Sequence, residues 1–375
     1  MSKTQKVLIA VALAAVVVLA AVVAVLLCNQ MGLFSEKVEP TTEATTEATT
    51  APTAEATTEA TTEPTDPPVR FRHPLTGERL EEPETRRIFA VSISNVPDAI
   101  PHIGINDCDM FFEMYITTGA VRCLALYTDI ENVEQIGSVR STRFNFADIA
   151  LGYDAFIAHA GGSQMVLNYV NKTGVDHKNI DTSSKAKYGF RDFNRNKAGW
   201  GLVHCLFVDG PGLRNWAEGK GYRVNHDEEK TYGLNFVDSG ALEAGETANT
   251  ISIDMKFEKS KKNTTMVYDP EIGEYVYNQF GKVMVDGLTG ETETFKNVFV
   301  LKVREYRKDV YYVADLLGSG DGYYACDGRV IPIKWHREND TDPFTFTMEN
   351  GAPLYQNVGR SYINLAPLDS QITFE

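Results

Sequence analysis

Ile136-Gly137-Ser138-Val139-Arg140-Ser141-Thr142-Arg143 passes directly into Phe144–Tyr153, where Phe144, Phe146, Ile149 and Leu151 recur at the spacing of a partly buried helix. The short apolar run Ala155-Phe156-Ile157-Ala158 follows and reads as a strand. It ends in His159-Ala160-Gly161-Gly162-Ser163 and enters a second predicted helix over Gln164–Val170. Upstream, Arg87–Ser94, Met110–Ile116 and Val121–Thr128 read as three strands, the last two joined near Thr118-Gly119. Strands alternating with helices predict an α/β arrangement, or an α+β one, for residues 69–238.

The two strand-to-helix junctions concentrate the chemistry. At the first, Ser141 or Thr142 is placed to cap the helix, and Arg140 and Arg143 supply two cations. At the second, Gly161 and Gly162 permit close backbone approach and Ser163 is placed to cap. Helix starts carry free N–H groups and partial positive charge, so both junctions suit an anion. The expectation is that Arg140, Ser141, Arg143, Gly161, Gly162 and Ser163 bracket a phosphate or carboxylate. A structural reading stands beside it: Arg143 paired with Asp148 or Glu113, Ser141 as a cap only, and Gly161-Gly162 as a turn only. His159 and His204 are the candidates for acid/base work, because histidine alone titrates near neutrality when unperturbed. Each equally fits a hydrogen-bonded structural histidine.

Residues 239–375 read differently. Thr250–Met255, Met266-Val267-Tyr268, Tyr275-Val276-Tyr277, Val298–Val303, Val310–Val313 and Ile331–Trp335 are short strands separated by Gly and Asp turns, which predicts a β-rich antiparallel domain. Gly318-Ser319-Gly320-Asp321-Gly322 lacks a following Gly-Lys-Ser/Thr and a helix, so it reads as a hairpin and not a phosphate loop. Tyr311, Tyr312, Tyr323 and Tyr324 read as alternating core and surface residues.

The first 68 residues set the location. Val7–Leu27 is an unbroken run of 21 apolar residues, about 30 Å as a helix, which matches a bilayer core. Lys3 and Lys6 precede it and no basic cluster follows, so residues 1–34 read as a cytoplasmic stub and transmembrane anchor with the rest outside. The run is too long for an ordinary cleaved signal and ends Val25-Leu26-Leu27. Lipidation at Cys28 is the second reading, disfavoured by Leu27 where a small residue is expected. Residues 35–68 repeat Thr-Thr-Glu-Ala units with little apolar content and read as a disordered linker. Fully stretched it reaches about 100 Å.

The net charge is −15, of which the region after residue 68 carries −10. An acidic globular part excludes broad nucleic-acid binding but not a local basic pocket. Five cysteines in no zinc-ligand spacing predict neither a metal site nor a disulfide scaffold, and the globular ones read as buried thiols. No cofactor motif is present, nor a nucleophile elbow, His-Glu-x-x-His or P-loop.

Leu75-Thr76-Gly77, the Ile136–Arg143 segment, Tyr153-Asp154-Ala155, His159–Ser163, Arg191-Asp192, Arg195, His204, Trp335 and Gly359–Ile363 together resemble the YerB-like lipoprotein family. The resemblance spans residues 74–368. It implies an extracytoplasmic protein of two domains of unknown function, and it implies no reaction. Where that family often has Glu-Gly-Gly-x-Thr-Arg, this chain has Thr117-Thr118-Gly119-Ala120-Val121-Arg122. The acid is missing, while Glu113 and Arg122 remain and join the candidate ligand-binding set. Val203 stands before His204 where a polar residue is expected. Two functions follow as expectations. One is a membrane-tethered envelope protein binding an anionic wall glycan, a lipid-linked phosphate or a partner. The other is an envelope hydrolase or transferase acting on phosphodiester or glycan bonds through Arg140, Arg143, His159 and His204.

Overall fold

Met110–Thr117 reads MFFEMYIT and seven of its eight residues are buried. A strand that is apolar on both sides must be covered on both sides, and this one lies inside a large sheet with cover on each face. The computed structural model describes residues 71–181, 188–242 and 244–375. The predicted membrane run Val7–Leu27, Cys28 and the 35–68 linker lie outside the described residues. Among the described residues no helix is long and apolar enough to cross a membrane.

In chain order the main elements of the first half are strands β1 (Phe89–Asn95), β2 (Met110–Thr117) and β3 (Ala120–Tyr127), then helix α1 (Phe144–Gly152), strand β4 (Phe156–His159), helix α2 (Gln164–Thr173), strand β5 (His177–Asn179), the short helix α3 (Phe193–Lys197), strand β6 (Leu206–Val208) and helix α4 (Gly210–Gly219). The second half contributes β7 (Thr250–Phe257), β8 (Ser260–Asp269), β9 (Glu274–Gln279), β10 (Asn297–Lys308), β11 (Tyr311–Asp315), β12 (Gly318–Cys326), β13 (Arg329–Arg337), β14 (Ser361–Pro367) and β15 (Gln371–Phe374).

A twelve-stranded sheet runs through both halves. Strands β13, β12 and β10 meet β2, β3, β1, β4 and β5 at a seam filled by β14. That last long strand is parallel to β10 on one side and to β2 on the other, with Tyr362 opposite both Val298 and Phe111. Residues 66–375 form one compact unit. The β1–β4–β5 edge is parallel and carries α1 and α2 as crossovers, whereas β1–β3 and β2–β3 are antiparallel. Of the two arrangements expected for the first half, α+β is the one found.

The two faces of this sheet carry separate cores. Ala90, Phe112, Met114, Leu124 and Leu126 pack with Phe146, Ile149 and Ala150 of α1 and Val166 and Val170 of α2. On the opposite face Val91, Ile93, Phe111, Cys123 and Ala125 pack against Ile251, Ile253, Met266, Tyr275 and Tyr277 of a second, six-stranded antiparallel sheet, and against Leu213 and Ala217 of α4. The expected β-rich character of the second half is present, with parallel pairing at β14 and at Tyr355–Asn357, which runs beside Asn235–Val237.

Two local expectations change. Gly318–Gly322 is not a turn: it lies inside β12, where a side chain at Gly320 would meet the Trp335 indole at 2.5 Å. Glycine lets that strand pass a large ring. The hairpin closes one strand later, at Asp327-Gly328, both with positive φ. Cys108, Cys123, Cys205 and Cys326 are buried free thiols, as the sequence suggested.

Candidate functional site

Residues 138–142 run extended across the ends of β1 and β4, because their backbone is bonded on both sides. Arg140 N–H donates to the Ser92 carbonyl at 2.8 Å, and the Arg140 carbonyl accepts from Ala160 N–H at 2.9 Å. Thr142 N–H donates to the Gly161 carbonyl at 3.0 Å. The two junctions singled out in the sequence are therefore adjacent in space.

The capping expected at the first of them does not occur. Helix α1 starts after Arg143 with no side-chain cap, and the Thr142 hydroxyl is buried without a partner among the described residues. Extended pairing of residues 140 and 142 to the sheet turns these side chains away from the helix start. At the second junction Ser163 does cap α2, accepting from Val166 N–H at 3.4 Å. Gly161 adopts φ +71°, which glycine permits at no steric cost, and its N–H is taken by the Asn179 side chain at 2.9 Å. That N–H is consequently not available to a ligand, contrary to the expectation. Gly162 lies against Thr142 and Leu167, where a side chain would be within 3.6 Å of the first and 3.3 Å of the second.

The arginines are the distinctive feature. The Ser141 carbonyl oxygen accepts from Arg122 Nη1 at 2.6 Å, from Arg143 Nη1 at 3.3 Å and from the Ser92 hydroxyl at 3.2 Å. Arg143 Nη1 also donates to the Thr142 carbonyl at 2.7 Å, its Nε is buried with no partner among the described residues, and its guanidinium lies 5.2 Å from the Tyr311 ring centroid. Among the described residues no carboxylate forms an ion pair with Arg122, Arg140 or Arg143. Neither Asp148 nor Glu113 answers Arg143. Asp148 accepts from the Tyr169 hydroxyl at 2.5 Å, and burial pushes its carboxyl up to about 6.

Burial pushes the guanidinium of Arg122 well below its ordinary range, and the charges of Arg143 and Arg140 push it further. Burial holds Arg143 down to about 10. Arg140 is lowered by burial too, with Asp181 opposing and Arg191 adding to the effect. A cation taken from water without a counter-charge costs several kcal/mol. Arg122 and Arg143 share this place, with Arg140 in electrostatic reach of both, and a bound anion would offset the cost.

His204 belongs to the same field. It sits in a single 3-10 turn after Gly201, and burial lowers its imidazole, followed by the charge of Arg140. Its Nδ1 is buried with no partner among the described residues. Arg195, next to it electrostatically, donates to the carbonyls of Ala99 and Pro101 and stacks 3.3 Å from the Trp200 ring centroid.

His159 is elsewhere in role. It is fully buried, its Nδ1 bonded to the Gly161 carbonyl at 2.9 Å and its Nε2 to His177 Nδ1 at 2.9 Å. A carbonyl only accepts, so Nδ1 carries a proton, and neutral His159 accepts at Nε2 from His177. Burial, then the His177 charge, lowers His159 to about 4. It is a sealed structural histidine, and the expected convergence of both histidines with the arginines is not found.

Glu113 is also removed from the set. In strand register it sits opposite Cys123, while Arg122 sits opposite Met114. Alternation along the strand therefore sends Glu113 and Arg122 to opposite faces of the sheet. Glu113 is fully buried between the two sheets, paired with Lys262. It accepts from Asn95 at 3.0 Å, from Thr264 at 3.1 Å and from the Tyr362 hydroxyl. Its oxygens are occupied by the protein itself.

Sequence reading missed Ser92, Tyr311 and the site roles of Arg191 and Arg195. The last two lay within the family likeness, but no spacing signalled Tyr311, which comes from the other half of the chain. Among the described residues no three His, Cys, Asp or Glu side chains converge as metal ligands.

Comparison with known proteins places this architecture. Residues 75–223 match the N-terminal domain, and residues 253–363 the C-terminal domain, of the protein of unknown function DUF3048. Over 309 residues the chain is 25% identical to "Putative lipoprotein YerB" of Bacillus subtilis (strain 168), covering 80% of this chain and 88% of that protein. The crystal structure of YerB from Bacillus subtilis has the same fold, with a TM-score of 0.69 at 24% identity, covering 80% of this chain and 99% of that one. With both of its domains matched in order along most of the chain, this protein belongs to the DUF3048, or YerB-like, family.

Proposed function

We propose that this protein is a membrane-tethered, extracytoplasmic binder of an anionic envelope ligand, held at Arg122, Arg140, Arg143 and His204. One observation carries the reading: Arg122 and Arg143 both donate to the Ser141 carbonyl, with Arg140 within electrostatic reach of each, and none of the three forms an ion pair with a carboxylate among the described residues. Buried guanidiniums are normally matched by carboxylates, and planar guanidinium forks suit phosphate or carboxylate oxygens. Gly162 and the capped start of α2 stand beside them.

The location rests on Val7–Leu27 as a retained single-pass anchor, with a lipid on Cys28 as the alternative. The similarity to a protein named as a lipoprotein favours a membrane-attached envelope location under either mode. A binder is favoured over a hydrolase or transferase because His159 is sealed and neutral, which leaves His204 as the one expected acid/base group beside the arginines.

Titration calorimetry of the protein with glycerol 1-phosphate and with a soluble wall-glycan phosphate tests the reading. Binding should weaken by at least about tenfold in the double variant R140A/R143A. Equal affinity of variant and parent for every anionic ligand sinks the proposal.

A further inference from the structure

Residues 189–204 form an arm joined, through β6, to the Ile136-Gly137 strand that leads into the arginine segment. Gly189–Arg191 pairs with β6, α3 follows, and the chain comes back through Trp200 to His204. This excursion is tied together internally. Arg191 Nη1 donates to the Leu202 carbonyl at 2.8 Å, Asp192 caps α3, and Arg195 stacks on Trp200. It exposes large apolar side chains among polar ones: Phe193, Leu202 and Val203 are each about half exposed, Phe190 is exposed beside them in sequence, and Asn194, Asn196 and Lys197 are exposed as well. Exposed side chains of this size gathered in one short arm mark a contact surface.

The same arm borders the cations. Arg191 acts on Arg140, while Arg195, Arg140 and Arg122 act on His204. Lys197 adds a further positive charge. Against these stand Asp98, Asp181, which pairs with Arg191, and Asp192, whose carboxylate is engaged by the start of α3. Within residues 189–204 Arg191, Arg195 and Lys197 stand against Asp192 alone, on a globular region of net charge −10. Apolar side chains flanked by arginines are the chemistry of an anionic bilayer surface, where hydrocarbon lies below a layer of phosphates.

We infer that the Gly189–His204 arm docks on an anionic membrane, so that the anion held by the arginines is the phosphate of a membrane lipid. This rests on the anion-binding reading of the arginine site. Residues 66–375 are one compact unit, and the crystallised relative is matched over 99% of its length by 80% of this chain. The 66–375 fragment is thus a folding unit, free of the apolar Val7–Leu27 run that would enter vesicles by itself.

The experiment compares this fragment with the variant F193S/L202S/V203S. Vesicles of phosphatidylglycerol, vesicles of phosphatidylcholine and soluble glycerol 1-phosphate are the probes. The fragment should partition onto phosphatidylglycerol vesicles at least about tenfold better than onto phosphatidylcholine, with binding that falls as salt rises. The variant should lose about tenfold or more of that partitioning while its affinity for glycerol 1-phosphate stays within about twofold of the parent, which also reports that it is folded. Equal partitioning of variant and parent overturns the inference. So does parent binding to glycerol 1-phosphate with none to vesicles, which assigns the site to a soluble envelope phosphate. Failure of the parent to bind glycerol 1-phosphate at all overturns the arginine-site reading, and this inference with it.

Discussion

Arg122 Nη1 lies 2.6 Å from the carbonyl oxygen of Ser141, and that neutral oxygen is the partner the fold provides for a nearly buried cation. A carbonyl dipole stabilises a guanidinium far less than a carboxylate does. Under the proposed function, a bound anion would supply the charge that this carbonyl lacks.

Replacing Arg122 by methionine separates stability from binding. A buried unpaired cation is exchanged for an apolar side chain of similar length, so thermal unfolding should occur at the same temperature or a few degrees higher. Affinity for glycerol 1-phosphate should fall by about tenfold or more. A lowered midpoint combined with unchanged affinity would show that Arg122 serves only the fold.

His159 makes stability depend on pH. Its folded pKa of about 4 lies below the unfolded value near 6.5, so the unfolded chain binds the proton first as pH falls. The contribution is complete above about pH 6.5, declines between 6.5 and 4, and is flat below. The loss across that window should be about 3 kcal/mol. Denaturant unfolding at stepped pH measures it. H159Q, which retains a donor for the Gly161 carbonyl, should flatten the curve in that window.

Glu305 works in the other direction. It lies on β10, buried, with both carboxylate oxygens lacking a partner among the described residues, and burial pushes it up to about 8. Its folded pKa exceeds the unfolded value near 4.5. Its contribution is therefore complete below about pH 4.5 and is lost as pH rises towards 8. E305Q should be more stable than the parent at pH 8 by a few kcal/mol and indistinguishable at pH 4.5. An equal difference at both values would assign the effect to packing and not to ionisation.

Glu113 ties the two sheets through Lys262 and Thr264, and accepts from Tyr362 on the neighbouring strand of its own sheet. E113A should cost about 3–5 kcal/mol, because it strands a buried ammonium. Removing both charges in E113A/K262M should recover part of that loss, and a double-mutant cycle on urea unfolding gives the coupling. Strict additivity of the two substitutions would show that the pair is not coupled in the fold.

The local elements were legible. The β2–β3 hairpin, helices α1 and α2, the Ser163 cap and the buried thiols all lie where period, propensity and turn residues put them. The failures share a cause. Ser141 was expected to cap a helix, but the backbone around it is paired into the sheet. Glu113 was expected with Arg122, but one step along neighbouring strands reverses the face. Gly318–Gly322 looked like a turn because composition cannot show that Trp335 lies across the strand.

The sequence by itself determined an apolar run fit for an anchor, a Thr/Glu/Ala linker, the order of strands and helices, the family, and two strand-to-helix junctions, one with Arg140 and Arg143 and one with Gly161-Gly162-Ser163. These depend on neighbours within a few residues or on composition. Only the tertiary structure decided that β14 joins both halves, that Tyr311 faces Arg143, that His159 is sealed against His177, and that Arg122 and Arg143 meet at the Ser141 carbonyl without a carboxylate partner among the described residues. Those outcomes depend on pairings across long stretches of chain, such as the sequence separation of 249 between Glu113 and Tyr362. Strand pairing at such separation is selected by burial of whole faces, which no local pattern encodes.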